Sequence, residues 1–290
     1  MRILHIDCGR EMRGGQWQVL RLIRGLRDRG CESILLTSEP ESPLARIATS
    51  ENFAVERLRR RFPATDLVHA HDARSHAWAA VCARTPLIVA RRVAFPVKTS
   101  FLSRWKYGRA TNFIAVSRYV AGILGAAGVS SERISVVFDG VPVLPESSRT
   151  GGVIAPASDD AEKGADLARQ AWPSVEFSPD LERGLQSARI LLYLTRNEGL
   201  GSGALLGMSA GAVVIASRVG GLPEIIEDGV NGMLVENDPA EIARCVSRLN
   251  AEPDFAVRLS QAARRTVEQR FTVERMVEDT LAIYRRIVHV

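Results

Sequence analysis

The stretch Arg2-Ile-Leu-His-Ile-Asp-Cys-Gly-Arg-Glu-Met-Arg-Gly-Gly-Gln-Trp-Gln-Val-Leu-Arg-Leu-Ile23, followed by Gly30 and then Ser33-Ile-Leu-Leu-Thr37, decides the fold class. Residues 2–7 form an apolar run of strand length that fits a buried strand ending at Cys8-Gly9. After Gly14 and Gly15, the residues Val19, Leu20, Leu22, Ile23 and Leu26 recur at the spacing of one helix face over residues 16–29. Gly30 ends that helix, and residues 33–37 form a second apolar strand. Strand, glycine loop, helix and strand in that order imply a parallel sheet, because a crossover helix brings the chain back to start a parallel neighbour.

The same alternation continues outward. A helix is expected near residues 44–49, and strands at 67–70 and 87–90, each running into a loop. A strand at 113–116 precedes a helix at 119–125, and another strand covers 134–138. Pro145-Glu-Ser-Ser-Arg-Thr-Gly-Gly152 has linker chemistry and places a domain boundary at Ser147. Beyond it, strands at 153–155, 190–194 and 213–216 alternate with helices at 164–171 and 203–210, and helices follow at 240–249, 254–269 and 274–288. The expected organisation is two α/β domains, residues 1–147 and 148–272, with residues 273–290 as a closing helix.

Composition narrows the function class. A chain of 290 residues fits two domains, and 46% hydrophobic with 24% charged residues excludes a disordered or fibrous protein. No apolar run approaches the ~18 residues of a membrane span. The N-terminus runs straight into a strand without a signal-peptide pattern, so a cytoplasmic location is expected, at the inner face of the membrane if the protein meets one. Residues 1–147 carry 22 basic and 13 acidic side chains, whereas residues 148–290 carry 16 and 20. A basic first half suits an anionic partner such as an anionic membrane surface or a phosphorylated glycan; a solvated Arg-rich helix face is the alternative. Nucleic acid is not expected, since Arg57, Arg59, Arg60 and Arg61 are the only dense cluster and aromatics make up 6%. Cys8, Cys31, Cys82 and Cys245 lack metal-ligand spacing and read as buried thiols.

Two glycine-bearing turns carry the chemistry. Gly14-Gly15 sits where a strand feeds a helix, so backbone N–H groups can approach a phosphate there, although a ligand-free turn is equally compatible. It is not the G-x-G-x-x-G fingerprint of nicotinamide enzymes. More specific is residues 197–232, where Glu198 and a glycine loop precede a helix. A strand, the Gly220-Gly221 turn, Glu224 and an Asp-Gly-x-Asn-Gly hairpin follow. Both loops fall at carboxyl ends of strands, where open α/β sheets bind ligands. In His69-Ala-His71-Asp72 the two imidazoles share a strand face and Asp72 points away. No metal site is expected there; His71 or Asp72 orients an acceptor hydroxyl or makes a loop hydrogen bond. Arg91-Arg92 follows a strand and suits an anionic acceptor group or a salt bridge. Trp105, Lys106, Tyr107 and Arg109 form an amphipathic stretch that fits a membrane interface or an ordinary helix.

The segment 197–232 resembles the C-terminal half of the retaining glycosyltransferases of family 4, which have the GT-B fold of two Rossmann-like domains facing a cleft. The likeness extends in order through Arg13-Gly-Gly-Gln-Trp-Gln18, Leu26-Arg-Asp-Arg-Gly30, His69-Ala-His-Asp72, Ile114-Ala-Val-Ser117, Val136-Val-Phe-Asp-Gly140, Glu162-Lys-Gly164, Glu198-Gly-Leu-Gly201, Gly220-Gly-Leu-Pro-Glu224 and Asn231-Gly232. The resemblance implies a nucleoside-diphosphate sugar as donor, no further cofactor, and a glycan or lipid-linked acceptor, as in cell-surface polysaccharide or lipopolysaccharide synthesis. It places Gly14 and Gly15 at the interdomain cleft, Lys163 on the diphosphate, Glu198 and Gly201 on the donor sugar, and the backbone of Gly201, Ser202 and Gly203 against the phosphates. Lys163 and Glu198 are the catalytic pair it implies, with Glu198 not a nucleophile. His71, Asp72, Arg91 and Arg92 are the acceptor-side candidates.

Three departures fall on the donor half. Leu206 stands where the family carries a second glutamate for the ribose, and Ser158 stands where it carries an arginine for the diphosphate. The interval between Lys163 and Glu198 lacks a recognisable apolar strand with a glycine loop, so the second domain is expected to be shortened. Two readings therefore stand side by side: an active transferase, and a donor-impaired relative serving as a non-catalytic binding module or partner of an active transferase.

Overall fold

The computed structural model describes residues 1–98 and 100–288. It divides into two compact α/β units, Met1–Asp139 with the C-terminal segment from Val273, and Gly140–Thr272. In the first, β1 (Arg2–Asp7), α1 (Gly14–Arg27), β2 (Glu32–Thr37), α2 (Pro43–Ser50), β3 (Ala54–Arg57), β4 (Leu67–Ala70), α3 (Ala73–Cys82), β5 (Leu87–Arg91), α4 (Phe101–Gly108), β6 (Asn112–Ala115), α5 (Arg118–Ala126) and β7 (Ile134–Val136) build one parallel sheet of order β3-β2-β1-β4-β5-β6-β7. In the second, β8 (Val153–Pro156), α6 (Ala165–Ala171), β9 (Glu176–Ser178), α7 (Leu181–Gly184), β10 (Ile190–Tyr193), α8 (Ser202–Ser209), β11 (Val213–Ser217), β12 (Met233–Val235), α9 (Pro239–Ala251) and α10 (Pro253–Arg270) form a parallel sheet of order β12-β11-β10-β8-β9. Strand order reverses between β1 and β4 in one sheet and between β8 and β10 in the other. Such switch points open crevices beyond the carboxyl ends of the strands.

The chain then returns to the first unit as α11 (Val273–Val288). Met276, Val277, Leu281 and Tyr284 are buried against Ile3, Leu22 and Leu26. The close contact depends on Gly25, where a Cβ would lie 2.5 Å from Val277 Cγ2.

Several local expectations are corrected. The boundary falls at Asp139/Gly140 rather than at Ser147, because residues 147–151 are stapled to the second unit. Ser147 N donates to Ala210 O (2.8 Å), Ser147 Oγ to Ala188 O (2.7 Å) and Gly151 N to Ser187 O (2.8 Å). The last two residues of the expected 273–290 segment lie outside the described residues. β5 runs into a loop as expected, whereas only two residues separate β4 from α3. The interval between Lys163 and Glu198 holds a short strand, β9, at the sheet edge beside β8. Asp228–Gly232 is a closed turn rather than a hairpin, because the β12 it feeds runs parallel to β11. Of the cysteines only Cys8 is buried; the other three are half-buried, and all four are free.

Gly25→Ala is expected to lower the stability of the first unit by about 1–3 kcal/mol through overpacking against Val277. Urea denaturation reads this directly, and adding Val277→Ala should recover part of the loss. An unchanged midpoint would show that α1 and α11 do not press on each other here.

Candidate functional site

In the second unit a site is built on the carboxyl ends of β8 and β10. The Glu162 carbonyl accepts from Thr195 Oγ1 (2.9 Å) and Arg196 N (2.9 Å), which ties the turn after β8 to the end of β10. Gly164, with φ +63°, lets the turn close on Leu194, whose carbonyl oxygen a Cβ would meet at 2.8 Å. Lys163 Nζ thereby stands 3.1 Å from Glu198 Oε2. The same Oε2 accepts from the Tyr193 hydroxyl (2.8 Å), while Oε1 accepts from Gly199 N (3.0 Å). The burial of Tyr193 and the charge of Glu198 hold its phenol well above the ordinary range, so Tyr193 stays a donor.

Glycines permit this crowding. At Gly220, φ +57°, a Cβ would lie 1.9 Å from Glu198 O, and at Gly221 it would lie 2.2 Å from Gly199 O. The Gly221 amide donates to that Glu198 carbonyl (3.1 Å). Gly201, φ +106°, precedes α8, and Gly203 in its first turn lies against the Tyr193 ring, which a Cβ would meet at 2.6 Å. The N-terminus of α8 thus follows Glu198 by four residues, and a helix N-terminus favours a nearby anion.

In the first unit the crevice beyond β1 and β4 holds a buried polar network. His5 and His69 are register partners on adjacent strands, and His71 follows on the same face. Arg92 donates to His71 Nδ1 (3.5 Å), which assigns the His71 proton to Nε2, facing His5 Nδ1 at 3.0 Å. The His5 proton then lies on Nε2, toward Ser33 Oγ (3.4 Å). His69 Nδ1 hydrogen-bonds the Tyr284 hydroxyl of α11. Burial drives His5 down to about 3 and, with the neighbouring imidazoles and Arg92, holds His69 and His71 well below the ordinary range. One ring nitrogen of each lies within 4.8 Å of the others, and the neutral network already engages all three rings.

Asp7, at the end of β1, accepts from Gly9 N (2.9 Å) and from Gln16 Nε2 (3.1 Å). Burial, then the nearby Asp72 charge, raises it to about 6. Beside it, a hollow of about 430 Å³ is lined by Cys8, Arg10, Ser38, Glu39, Arg74, Ala77 and Trp78. Burial pushes the Cys8 thiol up to about 12, so it is not a nucleophile at neutral pH.

Lys163, Glu198, Gly201, Ser202 and Gly203 are therefore brought together, all in the second unit. Gly14 and Gly15 lie in the first unit, opening α1 with nothing within 4 Å of an added Cβ. Asp72 caps α3 through Arg74 N (2.7 Å) and Ser75 N (2.9 Å) and receives Cys8 N (2.6 Å), so its oxygens are already occupied. Arg92 is paired with Asp139 at 3.2 Å, both side chains largely buried. Arg91 donates to Tyr107 OH (3.1 Å) and to the Phe95 carbonyl. Arg92 is thus ion-paired, whereas Arg91 is held by neutral acceptors. Leu206 is half-buried on α8, and Ser158 Oγ accepts Asp160 N (3.2 Å) after β8. Periodicity did not single out Asp7, Gln16, Tyr193 or Asp139; for Asp7 and Tyr193, the last residues of β1 and β10, the available signal was their place at a strand's carboxyl end, whereas Gln16 lies in the first turn of α1 and Asp139 in the loop after β7.

Four buried histidines, His5, His69, His71 and His76, resist protonation in the fold. The unfolded chain takes up those protons near pH 6.5, so stability is complete above that pH and falls as pH drops toward 3. Each histidine contributes on the order of 1 kcal/mol per pH unit. Asp7 works the other way, since the fold keeps its proton to about pH 6, and offsets one of the four below that point. Urea titrations from pH 7.5 to 5 check the sign; a flat profile would contradict neutral burial. Gly220→Ala should destabilise the second unit by more than about 1 kcal/mol, whereas Gly14→Ala should be neutral or stabilising by about 0.4–1 kcal/mol. Thermal melts of the two variants test the contrast.

Comparison with known proteins bears on the same two units. Alpha-maltose-1-phosphate synthase of Mycobacterium tuberculosis is 36% identical over 110 residues, covering 36% of this chain and 28% of that protein. D-inositol 3-phosphate glycosyltransferase of Saccharomonospora viridis is 36% identical over 107 residues, covering 37% and 25%. The chain thus spans under a third of the length of these curated relatives. Anabaena Alr3699/HepE, solved in complex with UDP and glucose, superposes with a TM-score of 0.86 at 16% identity, covering 99% of this chain and 100% of that one, so the two share the GT-B fold. The family model for Glycosyltransferase Family 4 matches residues 12–143 and that for Glycosyl transferases group 1 matches residues 153–252, so each of the two units is similar to a glycosyltransferase domain.

Proposed function

We propose that the protein is a retaining glycosyltransferase that moves a hexose-type sugar from a nucleoside-diphosphate sugar to a glycan or lipid-linked acceptor, in the assembly of cell-surface polysaccharide or lipopolysaccharide. The observation that carries this reading is the Lys163–Glu198 pair at 3.1 Å beside the opening turn of α8. As the bond between sugar and diphosphate breaks, negative charge builds on the leaving group. A fixed cation together with a helix N-terminus near that position would stabilise the transition state more than the ground state. In this reading Lys163 takes the charge that a metal ion supplies elsewhere, so no metal is required.

Glu198 serves as a positioning group for the donor sugar's hydroxyls. With Oε2 facing Lys163 and Tyr193 and Oε1 facing Gly199 N, its carboxylate is held in place as an acceptor rather than freed to attack carbon. On the acceptor side, the first-unit hollow with Arg74 and Trp78 offers a ring face and a cationic donor to a sugar or phosphate, with His71, Arg91 and Arg92 as further candidates elsewhere in the same unit. HepE's complex with UDP and glucose supports a uridine donor. The relatives named for maltose 1-phosphate and inositol 3-phosphate support a phosphorylated acceptor.

Leu206 and Ser158 favour a second reading, a donor-impaired relative that binds glycans or an active partner. Titration calorimetry of UDP, GDP, ADP and their hexose conjugates separates the two. Binding should weaken about ten- to a hundredfold in Lys163→Ala, and Glu198→Ala should abolish transfer. No binding across the panel by the folded protein would make the non-catalytic reading the correct one.

A further inference from the structure

Five of the thirteen large apolar side chains exposed among the described residues fall in residues 93–105: Val93 (46%), Phe95 (57%), Phe101 (76%), Leu102 (74%) and Trp105 (45%). Three of them lie on α4, a helix with no buried residue. Phe101 and Trp105 are one turn apart and Leu102 is beside them, so all three share one face. The opposite face anchors the helix: the Tyr107 ring stacks on Phe113 at 5.2 Å, and its carbonyl accepts from Arg133 at 2.7 Å. The apolar face is therefore directed outward by the packing of the helix.

The stretch of chain that carries this face has charge of one sign. Residues 73–131 contain nine Lys and Arg and no Asp or Glu. Lys98, Arg104 and Arg109 are exposed beside the apolar side chains. We propose that residues 93–98 and 100–109 form a docking surface for an anionic lipid bilayer, with Phe95, Phe101, Leu102 and Trp105 entering the interface and Lys98 and Arg104 meeting the headgroups. An amphipathic element with aromatic and aliphatic side chains on one side and cations at its border matches the boundary between acyl chains and anionic headgroups. A second copy of the chain is disfavoured as occupant, since a twofold contact brings the same acid-free, cationic surfaces together. Nucleic acid would engage the cations and leave Phe101 and Leu102 in water. The surface adjoins the acceptor-side arginines: Arg91 itself donates to the Phe95 carbonyl.

The test is flotation of the full chain with phosphatidylcholine vesicles, with and without phosphatidylglycerol, at low and high salt. Binding is expected only with phosphatidylglycerol and should weaken with salt. The Phe101→Ser/Leu102→Ser pair, at exposed positions, should weaken it at least about tenfold while leaving the melting temperature unchanged. Lys98→Glu/Arg104→Glu should do the same. Absence of binding, or equal binding by the Phe101/Leu102 variant, overturns the proposal. So does an apolar-face-dependent dimer, seen by light scattering, in a protein that ignores vesicles. None of these readouts involves sugar transfer, so failure here is distinct from failure of the proposed reaction.

Discussion

Backbone touching backbone is the constraint on which the second unit's site depends. Glu198 and Gly199 can lie under Gly220 and Gly221 only because neither glycine carries a Cβ, which would fall 1.9 and 2.2 Å from carbonyl oxygens. Gly164 does the same against Leu194 on the other side. Two loops from different strands are thus brought within hydrogen-bonding range, and Lys163 meets Glu198 across that seam. A close approach of this kind is more rigid than side-chain packing, because no rotamer change can relieve a backbone clash.

The first unit solves a different problem. Its central strand β1 is buried from Ile3 to Asp7, and yet it includes a histidine and a carboxylate. Burying charge there would be prohibitive, so the groups are kept uncharged or partnered. Hydrogen bonding runs in one direction from Arg92 through His71 and His5 to Ser33, while His69 pairs with Tyr284, and burial keeps all three rings neutral. Arg92 keeps its charge by pairing with Asp139. Tyr284 brings the C-terminal helix into this network through His69, so a residue 215 positions away completes it.

That distance explains what sequence could and could not reveal. The β1-α1-β2 unit was legible because its apolar residues are buried and therefore periodic. α3 was missed because its buried positions are Ser75, His76, Ala79 and Ala80, which leave no apolar stripe. α4 buries nothing, so its sequence read only as an amphipathic stretch at Trp105–Arg109 that fits an ordinary helix or a membrane interface. β3 and β9 lie at sheet edges and β12 is only three residues long, so they lack the double-sided apolar run that marks a central strand. Asp72 as helix cap was a readable signal for α3, since Asp before an alanine-rich run is a common start. Lys163 and Glu198 came from a family resemblance rather than from periodicity. Tyr193 was within reach of neither, because its role is set by Gly203 lying against its ring.

The two principal ion pairs differ in a way that bears on what each can do. Arg92–Asp139 is largely buried, at 15% and 9% side-chain exposure, so losing either member strands a charge in a low-dielectric surrounding. Lys163 is 40% exposed, and a pair with one member so wet contributes little to stability, ~0–1 kcal/mol. Glu198 does not depend on Lys163 alone, because the Tyr193 hydroxyl and the Gly199 amide hold its two oxygens from the protein side. Lys163 can therefore turn from the carboxylate to an incoming anion at small expense, while Glu198 stays in place. A cation that is cheaply released next to a carboxylate that is firmly held is the asymmetry a charge-neutralising site requires.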